Sequence, residues 1–213
     1  MLKSTIDRPA IPAKGLMALA ILKGYLKHPL WFLTTSILTL PRFSKTVPDE
    51  FPREFVRAAA LQAWIYIRLK KRLGQQKAYE VVRAMVLPIG LALQQGNFRC
   101  VEAGRRFENL VTYQQRTNRE GVTRWNTMKV LEQTTDRYEI QVSRCLYFEF
   151  FNTLGIPEMT RMMCAVDNAI FNSYQPEELI FHRQSLGNRI VDGAETCRFI
   201  IERPTNGPMA LEI

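Results

Sequence analysis

The sequence predicts an α+β protein in which a helical N-terminal half precedes a small antiparallel sheet that carries two helices on one face. Up to about residue 119, apolar residues recur at steps of three and four, which is the period of amphipathic helices. After Gly121 the period shifts towards two, the period of strands. We expect an N-terminal arm, apolar helices and a linker over residues 1–51, and a single domain over 52–213, helical over 52–119 and sheet-containing over 120–213.

The composition is that of a folded protein with a core, because 46% of the 213 residues are hydrophobic. Lys and Arg number 29 against 20 Asp and Glu, so a net charge of +9 makes anionic partners worth considering. The basic residues are spread along the chain, however, and no nucleic-acid-binding module is present, which predicts no nucleic-acid partner. Four dispersed cysteines and a polar, proline-broken start predict a reduced, cytoplasmic protein without an export signal.

The most apolar stretch is "GLMALAILKGYLKHPLWFLTTSILTL", residues 15–40. Lys23, Lys27, His28 and Pro29 interrupt it, so neither half supplies the roughly 20 apolar residues of a membrane-spanning helix. We expect two apolar-faced helices that cover the rest of the protein or a second subunit of a homo-oligomer. Peripheral membrane contact is the alternative, because the two lysines lie at helical spacing beside an apolar face.

Three further helices are predicted after a proline-rich linker at residues 41–52. Their apolar periodicity places them over residues 52–73, about 75–95 and about 98–118. Pro88 and Gly90 are expected to kink the second of them.

The second half of the chain predicts four strands and two short helices. "TRWNTMKVLEQTTDRYEIQVSR" contains two alternating runs around a turn-like Thr-Thr-Asp, which indicates a β-hairpin. Helices are expected over about residues 145–154 and 157–173, and the strand-like runs "ELIFHRQSL" and "TCRFIIER" follow. The expected order is therefore strand, strand, helix, helix, strand, strand.

Three candidate reactive groups lie in "RCLYFEFFNTLGIPEMTRMMCAVD", residues 144–167. Cys145 follows a strand and opens a helix, where unpaired amides and the helix dipole favour a thiolate. Cys164 and Asp167 stand three positions apart and share one helix face. A carboxylate on a mostly apolar helix needs a partner, so Asp167 should orient a base, hold a substrate amine, or pair with an arginine such as Arg161 or Arg183. The alternative for the cysteines is that they are small buried hydrophobes.

His182 and Arg183 are adjacent in a predicted strand and point to opposite faces, so only one of them can face a given pocket. His182 is the imidazole expected to serve acid and base chemistry, because His28 lies in the proline-broken N-terminal region. On the last predicted strand, Cys197 and Phe199 share one face.

The sequence predicts no metal site and no cofactor. Cys145, Cys164, Cys197 and His182 would make a Cys₃His set, but structural zinc sites usually place ligands in close pairs, and none occurs here. The Gly-x-Gly-x-x-Gly, His-Glu-x-x-His and Gly-x-Ser-x-Gly motifs of nucleotide-binding proteins, zinc proteases and serine hydrolases are missing as well.

Several weak motifs follow one another in a recognisable order between residues 120 and 203. They are a cysteine that opens a helix, a Gly-x-Pro-Glu turn, a Cys-x-x-Asp helix, a strand with an aromatic residue and an arginine, and a closing Gly-x-x-x-Cys-x-Phe. Together they resemble the family of L-2-amino-thiazoline-4-carboxylic acid hydrolases. The residues that carry the resemblance are Cys145, Gly155, Pro157, Glu158, Cys164, Asp167, Phe181, Arg183, Gly193, Cys197 and Phe199.

The resemblance implies a hydrolase that acts on a small molecule, adding water to a cyclic amidine-like thiazoline carboxylate and opening the ring to a carbamoyl-cysteine. The roles it implies are catalytic for Cys145, Asp167 and His182, and substrate-binding for Cys164, Arg183, Cys197 and Phe199. Attack by a Cys145 thiolate and a water-based route with a carboxylate as general base both remain open. A non-enzymatic small-molecule binding module is the alternative.

Overall fold

A computed structural model describes residues 11–98, 106–175, 177–184 and 188–204. These residues form seven α-helices, two short 3-10 helices and four strands. The elements are, in chain order, α1 (Ile11–Lys23), α2 (Pro29–Ser44), α3 (Arg53–Leu73), α4 (Gln75–Phe98), α5 (Phe107–Glu120), a 3-10 helix (Val122–Trp125), β1 (Thr127–Gln133), β2 (Arg137–Arg144), α6 (Leu146–Thr153), α7 (Glu158–Asn172), β3 (Ile180–His182), a 3-10 helix (Ile190–Asp192) and β4 (Cys197–Glu202).

The predicted α+β class is confirmed, and so is the order of strands and helices in the second half. Two helices end later than the sequence predicts. α2 continues through Pro41 into the predicted linker, because Phe43 in its last turn is buried and stacks on Trp64. α4 reaches Phe98, where the sequence predicts the next helix to begin, and α5 starts at Phe107. Residues 99–105, and most of the predicted arm at 1–14, lie outside the described residues.

The four strands form one antiparallel sheet with the order β1-β2-β4-β3. Ile140 lies opposite Phe199 and Val142 lies opposite Cys197, so these side chains share one face, as predicted for the two residues of β4. The other face carries a network of ion pairs. Its members are Glu132, Arg137, Glu139, Arg198 and Glu202.

The N-terminal helices and α6 share one hydrophobic core. α3 runs through it with a buried stripe at steps of three and four, formed by Phe55, Ala59, Ala63, Tyr66 and Leu69. α1 and α2 pack on this core as the sequence predicts, because Leu22, Phe32 and Phe43 are buried. The opposite side of α2 remains exposed to solvent, with Trp31 66% and Leu38 71% accessible. No helix among the described residues is both long enough and apolar enough to cross a membrane.

A second core lies between the sheet and the helices α5 and α7. α7 belongs to both cores, because Met159 and Met162 point into the first and Ile170 and Phe171 into the second. α7 therefore joins the helical half to the sheet, and residues in its middle lie at the junction of the two cores.

Gly90 lies at a close approach of α4 to α7. A Cβ atom at Gly90 would lie 2.8 Å from Cγ1 of Val166, which is closer than carbon atoms approach in real structures. Glycine is needed here for space, and this close approach fixes the depth at which α7 sits against α4.

Candidate active site

Six of the seven predicted site residues lie together at the junction of the two cores. They come from four elements: α7 supplies Cys164 and Asp167, β4 supplies Cys197 and Phe199, Cys145 precedes α6, and Arg183 follows β3. An ion pair and a ring contact connect Arg183 to Asp167 and Phe199, and the charge of Asp167 reaches both Cys145 and Cys164.

Arg183 is the buried anchor of the cluster, with only 4% of the residue exposed. Its Nη2 donates to Oδ2 of Asp167 at 2.9 Å, and its Nε donates to Oδ1 of Asn168 at 3.3 Å. The guanidinium plane lies over the Phe199 ring, with Cζ 3.9 Å from the ring centroid. Of the partners that the sequence allows for Asp167, the structure therefore selects Arg183.

The Asp167 carboxylate is both crowded and accessible. Burial raises its pKa, and the charge and hydrogen bond of Arg183 offset this only in part. Even so, 39% of the side chain is exposed. The carboxylate is therefore held by Arg183 on one side and reachable from solvent. Oδ1 has no hydrogen-bond partner among the described residues and is free to accept one from a ligand.

Cys145 is the N-cap residue of α6, as predicted. The start of this helix is held in place by Asn126, whose Oδ1 accepts a hydrogen bond of 2.8 Å from the backbone N–H of Leu146. The sheet register brings Cys145 close to Cys197, because Cys197 pairs with Val142, only three residues earlier on β2.

The pKa of Cys145 is raised, which contradicts the prediction from the helix dipole alone. Burial raises it most, and the negative charge of Asp167 and the neighbouring Cys197 add to this effect. The backbone amides of Phe148 and Tyr147 lower it, as expected at a helix N-terminus, but they do not outweigh the burial. Cys145 therefore rests as a thiol and needs a base to become a nucleophile.

The other two thiols are less suited to attack. Cys164 is 8% exposed, and burial raises its pKa to about 12. Cys197 is 6% exposed, burial raises its pKa, and its Sγ already accepts a hydrogen bond of 3.0 Å from the backbone N–H of Ile190. Cys145 is half-buried and is the most accessible of the three.

His182 does not lie with the other six residues. It points to the opposite face of the sheet from Phe181, and its Nε2 lies 2.9 Å from Oε1 of Glu202. Its Nδ1 accepts a hydrogen bond of 3.2 Å from the N–H of Gln184, so in the neutral ring Nε2 carries the proton and donates to Glu202. The sequence established that His182 and Arg183 face opposite ways; the structure places Arg183 on the side of the thiols.

Three further side chains face the cluster without having been singled out in the sequence. Burial raises the pKa of Tyr147 to about 12, with smaller contributions from Asp167 and Cys145, so its phenol stays protonated beside both groups. The charge of Arg189 reaches Cys164 and Cys197, and Tyr79 lies close enough to Cys164 and Arg189 to interact with them electrostatically. The position of Tyr147, two residues after a helix-opening cysteine, is a usable sequence signal; Arg189 and Tyr79 come from loops and helices whose packing the sequence does not specify.

No set of three or more His, Cys, Asp or Glu side chains in the described part of the chain has an arrangement that would hold a metal ion. A groove of about 350 Å³ lies beside α6. It is lined by Glu50, Phe51, Arg144, Phe148, Glu149, Asn152 and Thr153. None of the seven predicted site residues lines that groove, so we place the candidate site at the thiol and carboxylate cluster, where the reactive groups converge.

The fold and the cluster define an α+β protein in which a partly exposed carboxylate, a buried guanidinium and three thiols lie together. The family model for L-2-amino-thiazoline-4-carboxylic acid hydrolase matches residues 53–201, and the chain therefore belongs to this family. The match confirms the resemblance seen in the sequence, and it includes all seven predicted site residues while leaving α1 and α2 outside. Comparisons with curated proteins and with solved structures found no significant match.

Proposed function

We propose that this protein is a hydrolase that opens the ring of a small cyclic amidine bearing a carboxylate, as the description of its family indicates. The observation that carries the proposal is the Asp167 carboxylate, which is fixed on one side by buried Arg183, is open on the other, and lies within electrostatic reach of Cys145. A carboxylate of this kind suits both recognition of an amidine and transfer of a proton.

Recognition rests on charge and hydrogen bonding. An amidine carries N–H donors and is basic, so its protonated form pairs with the free Oδ1 of Asp167 through a charge-assisted hydrogen bond. The substrate carboxylate is attracted by Arg183 and Arg189, the two cations whose charge reaches the buried thiols. Because Asp167, Asn168 and Phe199 already hold Arg183, its role in this proposal is to position the carboxylate of Asp167 and to supply positive potential.

In the covalent route, Sγ of Cys145 attacks the carbon that bears the ring sulfur and both nitrogens. Asp167 takes the thiol proton and passes it to the ring sulfur when the bond between that carbon and the ring sulfur breaks. The product of this half-reaction is an isothiourea on Cys145 with the former ring sulfur as a free thiol.

Water then attacks the same carbon. Asp167 accepts one proton of the water and returns it to Cys145 as the bond between carbon and Sγ breaks, and the other proton ends on the former ring nitrogen. The released product is a carbamoyl amino acid, and the net change is the addition of one water molecule. In the direct route, Asp167 activates water without a covalent intermediate, and Cys145 only lines the site.

The test is incubation of the purified protein with 2-aminothiazoline-4-carboxylate, with carbamoyl-cysteine measured by mass spectrometry. We expect turnover in the wild type and a loss of at least about 100-fold in Asp167→Asn, because general acid–base catalysis contributes on this scale. Asp49→Asn, an exposed aspartate near the start of α3, is the matched control and should keep wild-type activity.

Cys145→Ser separates the two routes. A loss as large as that of Asp167→Asn, together with a mass increase on Cys145 in the wild type during turnover, supports the covalent route. Retained activity in Cys145→Ser assigns catalysis to water activated by Asp167. Saturable binding of a panel of cyclic amidines without turnover would contradict the hydrolase proposal and identify a binding module.

A further inference from the structure

The outward side of α2 carries a stripe of exposed apolar side chains that no described part of the chain covers. Leu30, Trp31, Ile37 and Leu38 are 65%, 66%, 59% and 71% exposed, and they lie at helical spacings of one, seven and eight residues from the first. We infer that this stripe, called the α2 outer face below, docks on the surface of an anionic membrane. The inference is independent of the proposed activity.

The stripe is a second apolar side on a helix that already has one. Phe32 and Phe43 on the inward side are buried in the core, so the outer residues are not needed to pack α2 onto the protein. α1 extends the exposed apolar area, because Leu16 is 66% and Met17 39% exposed. Contiguous exposed apolar side chains of this size are unusual on a protein surface and mark sites of protein or membrane contact.

Charge selects a membrane from among the partners of such a surface. Between residues 8 and 48 the chain has six Lys and Arg residues and no Asp or Glu. Lys23 and Lys27 flank one end of the α2 outer face and Arg42 and Lys45 the other, and all four are exposed. Basic residues at both ends of an apolar helix face are the signature of a helix that lies in the interface of an anionic bilayer.

Two arginines of α3 add cations that have no carboxylate partner among the described residues. Arg68 donates to neutral oxygens only, at 2.6 Å to Oγ of Ser36, 2.9 Å to Oγ1 of Thr35 and 3.2 Å to the carbonyl of Phe32. Arg72 shares the Phe32 ring with it, the two Cζ atoms lying 5.1 Å and 4.8 Å from the ring centroid.

Burial and the positive charge of Arg72 lower the pKa of Arg68, which is the sign of a cation that an anion would stabilise. Both arginines contact Phe32 on the inward side of α2, so they add positive potential near the α2 outer face rather than direct contacts with headgroups.

A second copy of the chain fits this surface less well. In a two-fold dimer through the α2 outer face, the same basic residues of both copies would face each other, because a two-fold interface uses the same patch twice. An anionic membrane supplies charges of the opposite sign instead. The lysines at the break between α1 and α2 and the lack of a spanning helix among the described residues indicate that the contact is peripheral.

The α2 outer face lies outside the part of the chain that matches the family. The family match begins at Arg53, the first residue of α3, so α1 and α2 lie outside the matched region. The candidate active site lies on α6, α7 and the sheet, and none of its residues belongs to α1 or α2. The α2 outer face would therefore bring the protein to a membrane without taking part in the proposed chemistry.

The test is flotation of the full-length protein with vesicles of phosphatidylcholine containing ~30% phosphatidylglycerol, compared with vesicles of phosphatidylcholine alone. We expect the protein to float with the anionic vesicles, to be released by high salt, and to bind the neutral vesicles at least ~10-fold more weakly. Leu38→Asp should weaken binding to the anionic vesicles at least ~10-fold, since it removes an apolar contact and adds a repelled charge.

Leu131→Asp is the matched control, because Leu131 is an exposed leucine (38%) on the edge strand β1 and the change in charge is the same. It should bind like the wild type. The double variant Lys27→Gln, Arg42→Gln should weaken binding ~10-fold, and the control pair Arg119→Gln, Lys129→Gln, also exposed, should not. Circular dichroism and thermal unfolding verify that each variant is folded.

Three outcomes would overturn the inference. The first is no flotation with either vesicle. The second is equal binding by Leu38→Asp and Leu131→Asp, which would place the contact elsewhere. The third is a dimer in solution that Leu38→Asp dissociates while vesicles fail to bind the wild type, which would assign the α2 outer face to a second copy of the chain.

Discussion

Cys145 shows how a residue's chemistry depends on contacts that its sequence neighbours do not reveal. Its place at the start of a helix is readable from the sequence, and the amides of Tyr147 and Phe148 do lower its pKa. Burial against distant parts of the chain has the larger effect and raises the pKa. A local argument therefore gives the position of the thiol correctly and the direction of its pKa shift wrongly.

Asp167→Asn should have opposite effects on the reactivity of Cys145 and on turnover. Removing the carboxylate removes one charge that raises the pKa of Cys145, so the thiolate fraction increases at a given pH. We expect alkylation of Cys145 by iodoacetamide near pH 8 to be faster than in the wild type, because the thiolate is the reactive form. Turnover should fall, because the proton acceptor of the proposed mechanism is lost.

Site-resolved mass spectrometry measures the alkylation, and Asp49→Asn is again the control. Unchanged or slower alkylation of Cys145 in Asp167→Asn would show that the carboxylate does not act on this thiol. A purely structural role of Asp167 would also be recognised, because general disruption of the site would expose Cys164 and Cys197 to the reagent as well.

At the scale of elements, the parts that depend on local pattern were predictable and the parts that depend on docking were not. The buried stripe of α3 and the β1–β2 hairpin follow directly from periods of 3.6 and 2. The sequence did not predict that α5 covers the sheet together with α7, or that α6 joins the helical core. Helix amphipathicity identifies a buried side but not the partner it is buried against.

The same limit applies to the candidate site. The sharing of a face by Cys197 and Phe199, and the opposition of His182 and Arg183, follow from strand geometry alone. The choice of Arg183 over Arg161 as the partner of Asp167 depends on where β3 lies relative to α7, and Arg161 pairs with Asp192 instead. Only the tertiary structure contains that information.

Gly90→Ala should destabilise the protein although alanine is the better helix former. In an exposed helix this change would stabilise by up to about 1 kcal/mol. Here the new Cβ would lie 2.8 Å from Cγ1 of Val166, a buried side chain with little rotamer freedom, and overpacking costs about 1–3 kcal/mol. We expect a net loss of about 1 kcal/mol in the free energy of unfolding, measured by urea denaturation.

Gly15→Ala in α1 is the matched control, because no atom lies within 4 Å of a Cβ at that position, and it should be neutral or stabilising. Combining Gly90→Ala with Val166→Ala should recover part of the loss from Gly90→Ala, measured against Val166→Ala alone. A stabilising effect of Gly90→Ala by itself would mean that α4 and α7 are not packed as closely as described.

At the scale of the whole molecule, positive charges are in excess, and a few largely buried carboxylates form ion pairs with some of them. The chain has a net charge of +9, and on the outer face of the sheet Glu139, 5% exposed, accepts hydrogen bonds from Arg137 and Arg198. Burial alone would raise the pKa of Glu139, but these two arginines outweigh it and lower the pKa. Asp192 and Glu158 have lowered pKa values for the same kind of reason, through Arg189 and Arg161 in one case and Lys70 and Tyr66 in the other.

Acid should therefore unfold the protein by protonating these carboxylates. A carboxylate whose pKa is lower in the folded state stabilises the fold above its unfolded pKa of about 4.3 for glutamate, and this contribution is lost as the pH falls through the folded pKa.

Glu139→Gln should cost about 2 kcal/mol of unfolding free energy at pH 7, since hydrogen bonds to charged groups contribute on this scale. The difference from the wild type should shrink as the pH falls below about 4, because the unfolded wild-type chain is then protonated at Glu139 while the folded state still pays to bind that proton. Urea titrations between pH 7 and pH 3 measure both quantities, with Glu120→Gln, an exposed glutamate at the end of α5, as the matched control. A cost that stays constant down to pH 3 would show that Glu139 stabilises the sheet through packing rather than through its charge.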